Sequence, residues 1–260
     1  MKIIIAIPAR IGSTRLPEKA LADICGEPMV VRVWRRCSLV PGVAAVLVAT
    51  DDERISAVIC AAGGRAVLTS AHHVSGTDRI AEAVRGEICD LVVNVQGDEP
   101  FVEPGALEAL VAAFSADEPP EVSTLATHIR AAADLFDPAV VKVLVGRDGY
   151  AVYFSRHPIP WREDLRDAGA GAASEPGRGA IDTTGYLRHI GIYAYRPAFL
   201  QRFTALEPTF GERSERLEQL RILEHGQRIR VIVTPWEALS VDTQEDLDRA
   251  RARAARDAAG

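Results

Sequence analysis

The sequence lacks any run of about 18 apolar residues, the length a membrane-spanning helix needs. Its N-terminal apolar stretch, KIIIAI, gives way at once to Pro8 and Arg10. That is too short for the apolar core of a secretory leader, so the expectation is a cytoplasmic protein without a membrane partner. Cysteine is scarce: Cys25, Cys37, Cys60 and Cys89 form no CxxC pair and no His/Cys cluster. Four scattered cysteines in a chain of this size exclude a disulfide scaffold and a thiolate metal site, and read as reduced thiols. Excess positive charge is missing too. Lys and Arg number 30 against 36 Asp and Glu, a formal net charge of −6. No global field exists to attract nucleic acid or an anionic membrane, so any anion site has to be local. Two common phosphate-binding patterns, GxxxxGK[ST] and GxGxxG, are also absent.

What is present is an ordinary globular composition, 48% hydrophobic and 25% charged over 260 residues. Short apolar runs at 3–7, 44–50 and 90–96 have the length and β-branching of buried parallel strands. Helical patterns lie between and after them: MVVRVWRRCSL from Met29, DERISAVICAA from Asp52, TDRIAEAVRG from Thr77 and PGALEALVAAF from Pro104. This alternation predicts an α/β fold, a mostly parallel mixed sheet flanked by helices. Further strands are expected at 121–129, 140–145, 149–155, 189–196 and 228–234, with a helix over 214–226. The last helix should begin with a capping box, Thr243 to Asp246. Residues 166–184, rich in Gly and Ala and without period, read as a mobile loop. Nothing marks a linker or a repeat, so a single domain over 1–260 is expected.

Four stretches carry chemistry. PARIGSTRLPEK follows the first strand directly, and ligands of open parallel sheets bind beyond the carboxyl ends of the strands. Arg10, Arg15 and Lys19 supply charge there, Ser13 and Thr14 supply hydroxyls, and Gly12 permits close backbone approach, a combination that suits a triphosphate. In NVQGDEP, Asp98 follows a glycine where a carboxylate can hold Mg²⁺ against nucleotide phosphates. Asp242, in SVDTQEDL, is a second such carboxylate, expected just after a late apolar strand and just before the final helix. Ser75, Gly76 and Thr77 precede the third helix, whose free N–H groups could face a ligand. Each piece alone is equally at home as a solvated loop, a polar turn or a helix cap. Adjacent His72 and His73 are poorly spaced for a shared metal and receive no ligand role.

Together, in this order, the pieces resemble the CMP-Kdo synthetase family, the 3-deoxy-manno-octulosonate cytidylyltransferases. The likeness runs through IPARIGSTRLPEKALADICGEPMV, HHVSGTDRIAEAV, VVNVQGDEPFVEP, VVKVLVGRDGYAVYFSRHPIPW, RHIGIYAYR, LEQLRILEHG and VDTQEDLDRAR. It implies a Rossmann-like nucleotidyltransferase fold of the nucleotide-diphospho-sugar transferase type, with a small dimerisation layer and a homodimer. The implied reaction transfers CMP from CTP to the anomeric hydroxyl of 3-deoxy-D-manno-octulosonate (Kdo), a step towards lipopolysaccharide, with Mg²⁺ as cofactor. By similarity Arg10, Ser13, Thr14, Arg15 and Lys19 cradle the phosphates, and Asp98 and Asp242 hold the metal, with Lys19, Arg10, Arg15 and Asp98 serving catalysis. Pro8, Ala9 and the stretch Ser75, Gly76, Thr77, Asp78 border base and ribose. The acceptor falls to Gln96, Arg156, His189, Tyr193, Glu218 and Gln219, the arginine and histidine being suited to the carboxylate of a sugar acid.

The chain departs from the family pattern at Glu18, usually glycine, at Ala20, usually proline, and at Val74, usually a polar residue such as glutamine. Lys19 itself reads as an exposed loop lysine, and a carboxylate at Glu18 weakens its field if it points inward. Two rival readings stay open at this point. One keeps cytidylyl transfer but uses another small acid, 8-amino-Kdo or a phosphonate such as phosphonoformate. The other is a non-catalytic nucleotide-binding regulator, against which the retained Lys19, Asp98, Asp242 and both loop arginines argue.

Overall fold

The computed structural model describes residues 1–165 and 181–259. Contacts gather into two units, one of residues 1–112, 192–204 and 237 onward, the other of 113–191 and 205–236. In chain order the first unit contains β1 (Ile3–Ala9), β2 (Asp23–Ile24), β3 (Glu27–Pro28), α1 (Met29–Ser38), β4 (Val43–Thr50), α2 (Glu53–Ala61), β5 (Arg65–Leu68), α3 (Gly76–Ala83), β6 (Leu91–Asn94) and α4 (Pro104–Ala112). The second unit follows with β7 (Val122–His128), α5 (Ala132–Phe136), β8 (Lys142–Val145) and β9 (Ala151–Ser155). Strand β10 (Leu187–Tyr195) belongs to the first unit from Ile192 onward, as does α6 (Pro197–Thr204). The chain then supplies α7 (Phe210–Glu215), α8 (Gln219–Glu224) and β11 (Arg230–Val233) to the second unit, and α9 (Gln244–Ala259) to the first.

In the first unit β6, β1, β4 and β5 lie side by side and parallel, while the end of β10 runs antiparallel to β6 with Tyr193 opposite Asn94. Strand β1 sits between β4 and β6, and Ile4 to Ile7 are at most 1% exposed. That placement explains its unbroken apolar sequence, since a strand covered on both faces has no solvent side to alternate towards. Asp52 caps α2, its Oδ1 accepting from Arg54 N at 2.8 Å. The expected capping box opens α9: Asp246 N donates to Thr243 Oγ1, and Thr243 N donates to Asp246 Oδ2 at 2.9 Å. Helix α9 packs against β2 through a core of Leu16, Ile24, Met29, Phe101, Val241 and Leu247. This core anchors the C-terminal segment beside the loop that follows β1.

In the second unit β8 and β9 pair antiparallel, β7 and β11 pair parallel, and Ile129, Leu135, Val140, Leu165 and Tyr186 form a core. The single helix expected over 214–226 is instead two helices with Arg216 left-handed between them, at φ 54 and ψ 47. The break has a tertiary cause. The Arg156 guanidinium takes the carbonyls of Glu215 and Arg216, by Nε at 2.7 Å and NH2 at 3.4 Å, and the Glu215 carboxylate accepts from Ser155 Oγ at 2.7 Å. Most of the loop expected at 166–184 lies outside the described residues. No helix among the described residues is long and apolar enough to cross a membrane.

Candidate active site

Beyond the carboxyl end of β1 the first unit holds a cleft of about 400 Å³. Its floor is the chain at Pro8 and Ala9, and one wall is the loop carrying Arg10, Ser13, Thr14, Arg15 and Lys19. The opposite side is the start of α3, with Ser75 and Gly76, and the loop after β6 brings Gln96, Gly97 and Asp98. Asp242 completes the lining from just before α9. Two glycines permit this closure. A Cβ on Gly97 would lie 2.8 Å from the Pro8 carbonyl oxygen, and one on Gly76 would lie 3.1 Å from the Pro8 ring. The backbone segments therefore approach one another more closely than side chains would allow.

Charge in the cleft is arranged around Lys19. Its Nζ donates to Asp98 Oδ2 at 2.6 Å and to Asp242 Oδ1 at 2.9 Å, and Arg15 NH2 lies 3.0 Å from the same Asp242 oxygen. Burial of Lys19 disfavours its charge, but the two carboxylates more than offset this, so the ammonium titrates above the ordinary lysine value. Lys19 is thus not an exposed loop lysine: its side chain is 18% exposed and doubly paired. Asp242 does not follow a strand directly, since β11 ends at Val233 and the chain is irregular from there to α9. It is held instead by local bonds, Asp242 N donating to Asp246 Oδ2 at 3.1 Å and Val241 N to the Asp98 carbonyl at 2.9 Å.

At α3 the capping role and the cleft role coincide. Ser75 Oγ accepts from Asp78 N at 3.1 Å while Ser75 and Gly76 line the cleft. Thr77 is buried, and neither it nor Asp78 is part of the lining. Among the cleft residues given no site role in the sequence reading, three bear on its chemistry or shape. Arg79, 3% exposed, holds Thr69 Oγ1 at 2.8 Å and Asp51 Oδ2 at 2.9 Å. Its position four after Ser75 puts it on the same helical face, the signal that would have found it. His73 also lines the cleft and bonds the Glu82 carboxylate, which this bond and Ser70 N hold below the usual carboxylate range. Gly97 is the third, and its sequence signal was its place beside Asp98.

The departures from the family pattern take definite positions. Val74 is 91% exposed at the rim of the cleft. Glu18 turns away from Lys19 and pairs with Arg54 at 2.6 Å. Its backbone is left-handed, φ 52, a conformation that costs any residue with a Cβ and so favours glycine. Glu18→Gly should therefore leave the melting temperature within about 3 °C of the wild type, since relief of the backbone offsets the lost ion pair and the added chain entropy. Cytidylyl transfer should be unchanged, and a large loss in an assay of the variant would show that the carboxylate sets the Lys19 field after all.

The residues assigned to the acceptor divide between the units. In the first, Gln96 lines the cleft and Tyr193 stacks on Tyr195, ring centroids 5.6 Å apart. In the second, Arg156 spends its guanidinium on main-chain carbonyls, those of Glu215 and Arg216 and, at 2.8 Å, that of Pro138. His189 meets Thr124 Oγ1 through Nε2 at 3.0 Å and packs edge-on to Phe154. Burial holds its imidazole well below the usual histidine value, so the ring is neutral and offers hydrogen bonds rather than a cation to a carboxylate. Glu218 stands directly before α8 and makes no side-chain capping bond to it. Gln219 is 6% exposed, and its Nε2 has no hydrogen-bond partner among the described residues.

Comparison with known proteins identifies the family. A family model described as cytidylyltransferase matches residues 3–229. The 3-deoxy-manno-octulosonate cytidylyltransferase of Trichlorobacter lovleyi is 44% identical over 97% of this chain and 98% of its own. That of Chlorobium chlorochromatii is 45% identical over 96% of each. Among solved structures, a CMP:2-keto-3-deoxy-manno-octonic acid synthetase complexed with CTP superposes with a TM-score of 0.87 at 40% identity, covering 99% of this chain and 100% of that one. A 4-diphosphocytidyl-2C-methyl-D-erythritol synthase from Anaerococcus prevotii, 13% identical with a TM-score of 0.61 over 97% of this chain and 98% of its own, shares the fold. The chain belongs to the cytidylyltransferase family of CTP-dependent nucleotidyltransferases and, within it, to the 3-deoxy-manno-octulosonate cytidylyltransferases.

Proposed function

We propose that the protein transfers CMP from CTP to the anomeric hydroxyl of Kdo, releasing pyrophosphate. The observation that carries this reading is the cleft beyond β1, where Arg10, Arg15, Lys19 and Arg79, two carboxylates and a helix N-terminus line one space. Attack of the hydroxyl on the α-phosphorus in line with the leaving pyrophosphate asks little covalent work of the protein. Positioning and neutralisation supply most of the rate. In this reading Arg10, Arg15 and Lys19 neutralise the phosphates, with Ser13 and Thr14 donating hydrogen bonds. Pro8 and Ala9 border the nucleoside together with Ser75 and Gly76 at the start of α3.

Mg²⁺ is part of the proposal, and the residues present fit it. Oxygens of Asp98 and Asp242 already converge on one cation, Lys19 Nζ, and carboxylate oxygens are the donors Mg²⁺ takes alongside phosphate and water. When bound, the ion would stabilise charge developing on the phosphates. The reading also includes a homodimer working in the cytoplasm, on the strength of the sequence resemblance, and sedimentation of the purified protein tests the oligomer.

On the acceptor side we assign Gln96, Arg156, His189, Tyr193, Glu218 and Gln219. Gln219 gives this the firmest support, because a buried amide N–H without a partner costs about 1–3 kcal/mol. A ligand hydroxyl or carboxylate would relieve that cost. Gln219→Leu should therefore raise the melting temperature while lowering kcat/KM for Kdo by about 10-fold or more, with KM for CTP unchanged. Loss of stability, or an unchanged response to Kdo, would remove Gln219 from acceptor binding. The deciding experiment for the function compares pyrophosphate release with Kdo, 8-amino-Kdo and phosphonoformate at fixed CTP and Mg²⁺. Kdo should lead, because a site built to bond several hydroxyls rejects acids that lack them. A lead of more than about 10-fold by another acid would leave cytidylyl transfer standing and overturn Kdo as acceptor.

A further inference from the structure

Asp98 and Asp242 come from loops with unequal support. Asp98 follows β6 closely, whereas Asp242 ends an irregular segment with no periodic backbone ladder to fix it. Two hydrogen bonds join these loops directly. Val241 N donates to the Asp98 carbonyl at 2.9 Å, and Ser240 Oγ donates to Glu99 Oε1. Glu99 itself is pinned in a tight turn, its N–H on the Gln96 carbonyl at 3.2 Å and its own carbonyl taken by Val102 N at 3.2 Å. It is 5% exposed, an unusual depth for a glutamate beside a polar cleft. Between the two ties Val241 is fully buried against Phe101, Met29 and Leu16.

We infer that Glu99 and Ser240 are positioning residues: their hydrogen bond sets the spacing of the Asp98 and Asp242 carboxylates and so the affinity of that pair for a divalent cation. This rests on the proposed Mg²⁺ reading. Mg²⁺ tolerates little departure from octahedral geometry, so a small shift of one carboxylate loosens its hold. Partners one shell out from a metal change its affinity by about 10–100-fold when removed.

The test is calorimetric titration of CTP into the intact protein across a series of Mg²⁺ concentrations and in EDTA, for the wild type, Ser240→Ala, Glu99→Ala and Glu99→Gln. In Ser240→Ala and Glu99→Ala the Mg²⁺ concentration giving half of the full gain in CTP affinity should rise about 10-fold or more, with CTP affinity in EDTA unchanged. Glu99→Gln, which still offers Ser240 an acceptor, should stay within about 3-fold of the wild type. A Ser240→Ala midpoint equal to the wild type overturns the inference, and this variant decides it if Glu99→Ala does not fold. An equal rise in Glu99→Gln and Glu99→Ala also overturns it, because the charge of Glu99 would then matter rather than its bond. CTP affinity in the wild type that does not respond to Mg²⁺ would sink the metal reading and this inference with it.

Discussion

Asp98→Asn and Asp242→Asn are each expected to lower cytidylyl transfer at least ~10²-fold, since each removes a charge proposed to hold Mg²⁺ beside the reacting phosphates. Asparagine keeps the size of the side chain, so the loss reports charge rather than packing. The two variants should differ in the absence of metal. Asp242 Oδ1 holds both Arg15 and Lys19, whereas Asp98 pairs with Lys19. Asp242→Asn thus frees Arg15 for the triphosphate and leaves Lys19 paired with Asp98 alone, so CTP binding in EDTA should hold or tighten while turnover collapses. Single-turnover rates at saturating Mg²⁺, set beside CTP titrations in EDTA, check both halves. Near-normal rates in either variant would take that carboxylate out of the metal site.

The frame of this fold was legible because burial on both faces writes itself into composition. Strands β1, β4 and β6 are visible as short apolar runs rich in Ile and Val, and α2 and α9 through Asp52, Thr243 and Asp246. Strand β5 was not seen, since Arg65–Leu68 is four residues long, pairs with β4 and is nowhere fully buried. The β2–β3 hairpin was hidden because Cys25, at φ 55, takes a left-handed position beside Gly26, and cysteine does not signal such a turn. Arg216 breaks a helix that local preference would continue, because the carbonyls of Glu215 and Arg216 are taken by Arg156, a residue just beyond β9 and some sixty positions away. The site shows the same division. Loop charges could be read locally, but Lys19 meets Asp98 79 residues away and Asp242 223 residues away. No pattern in the sequence reports that pairing, so Lys19 looked exposed.

That pairing makes Lys19→Ala the more revealing substitution. The ammonium serves as counter-ion for both carboxylates, and removing it leaves Asp98 and Asp242 facing each other with Arg15 on Asp242. Two like charges in a partly buried cleft repel, so the metal-free variant should melt below the wild type. The same repulsion makes the pair a better site for a divalent ion, which in the wild type has to displace the ammonium first. Mg²⁺ without nucleotide should therefore raise the melting temperature of Lys19→Ala by at least about 3 °C more than it raises that of the wild type. Turnover should nonetheless fall by at least ~10²-fold, because the triphosphate loses a cation aimed at its developing charge. Tighter metal binding joined to lost catalysis is a signature that simple unfolding does not produce. Thermal melts with and without Mg²⁺, run on the preparation used for CTP turnover, measure it. Equal Mg²⁺ responses in the two proteins would show that Lys19 does not compete for the carboxylates, and its place between them would then be structural alone.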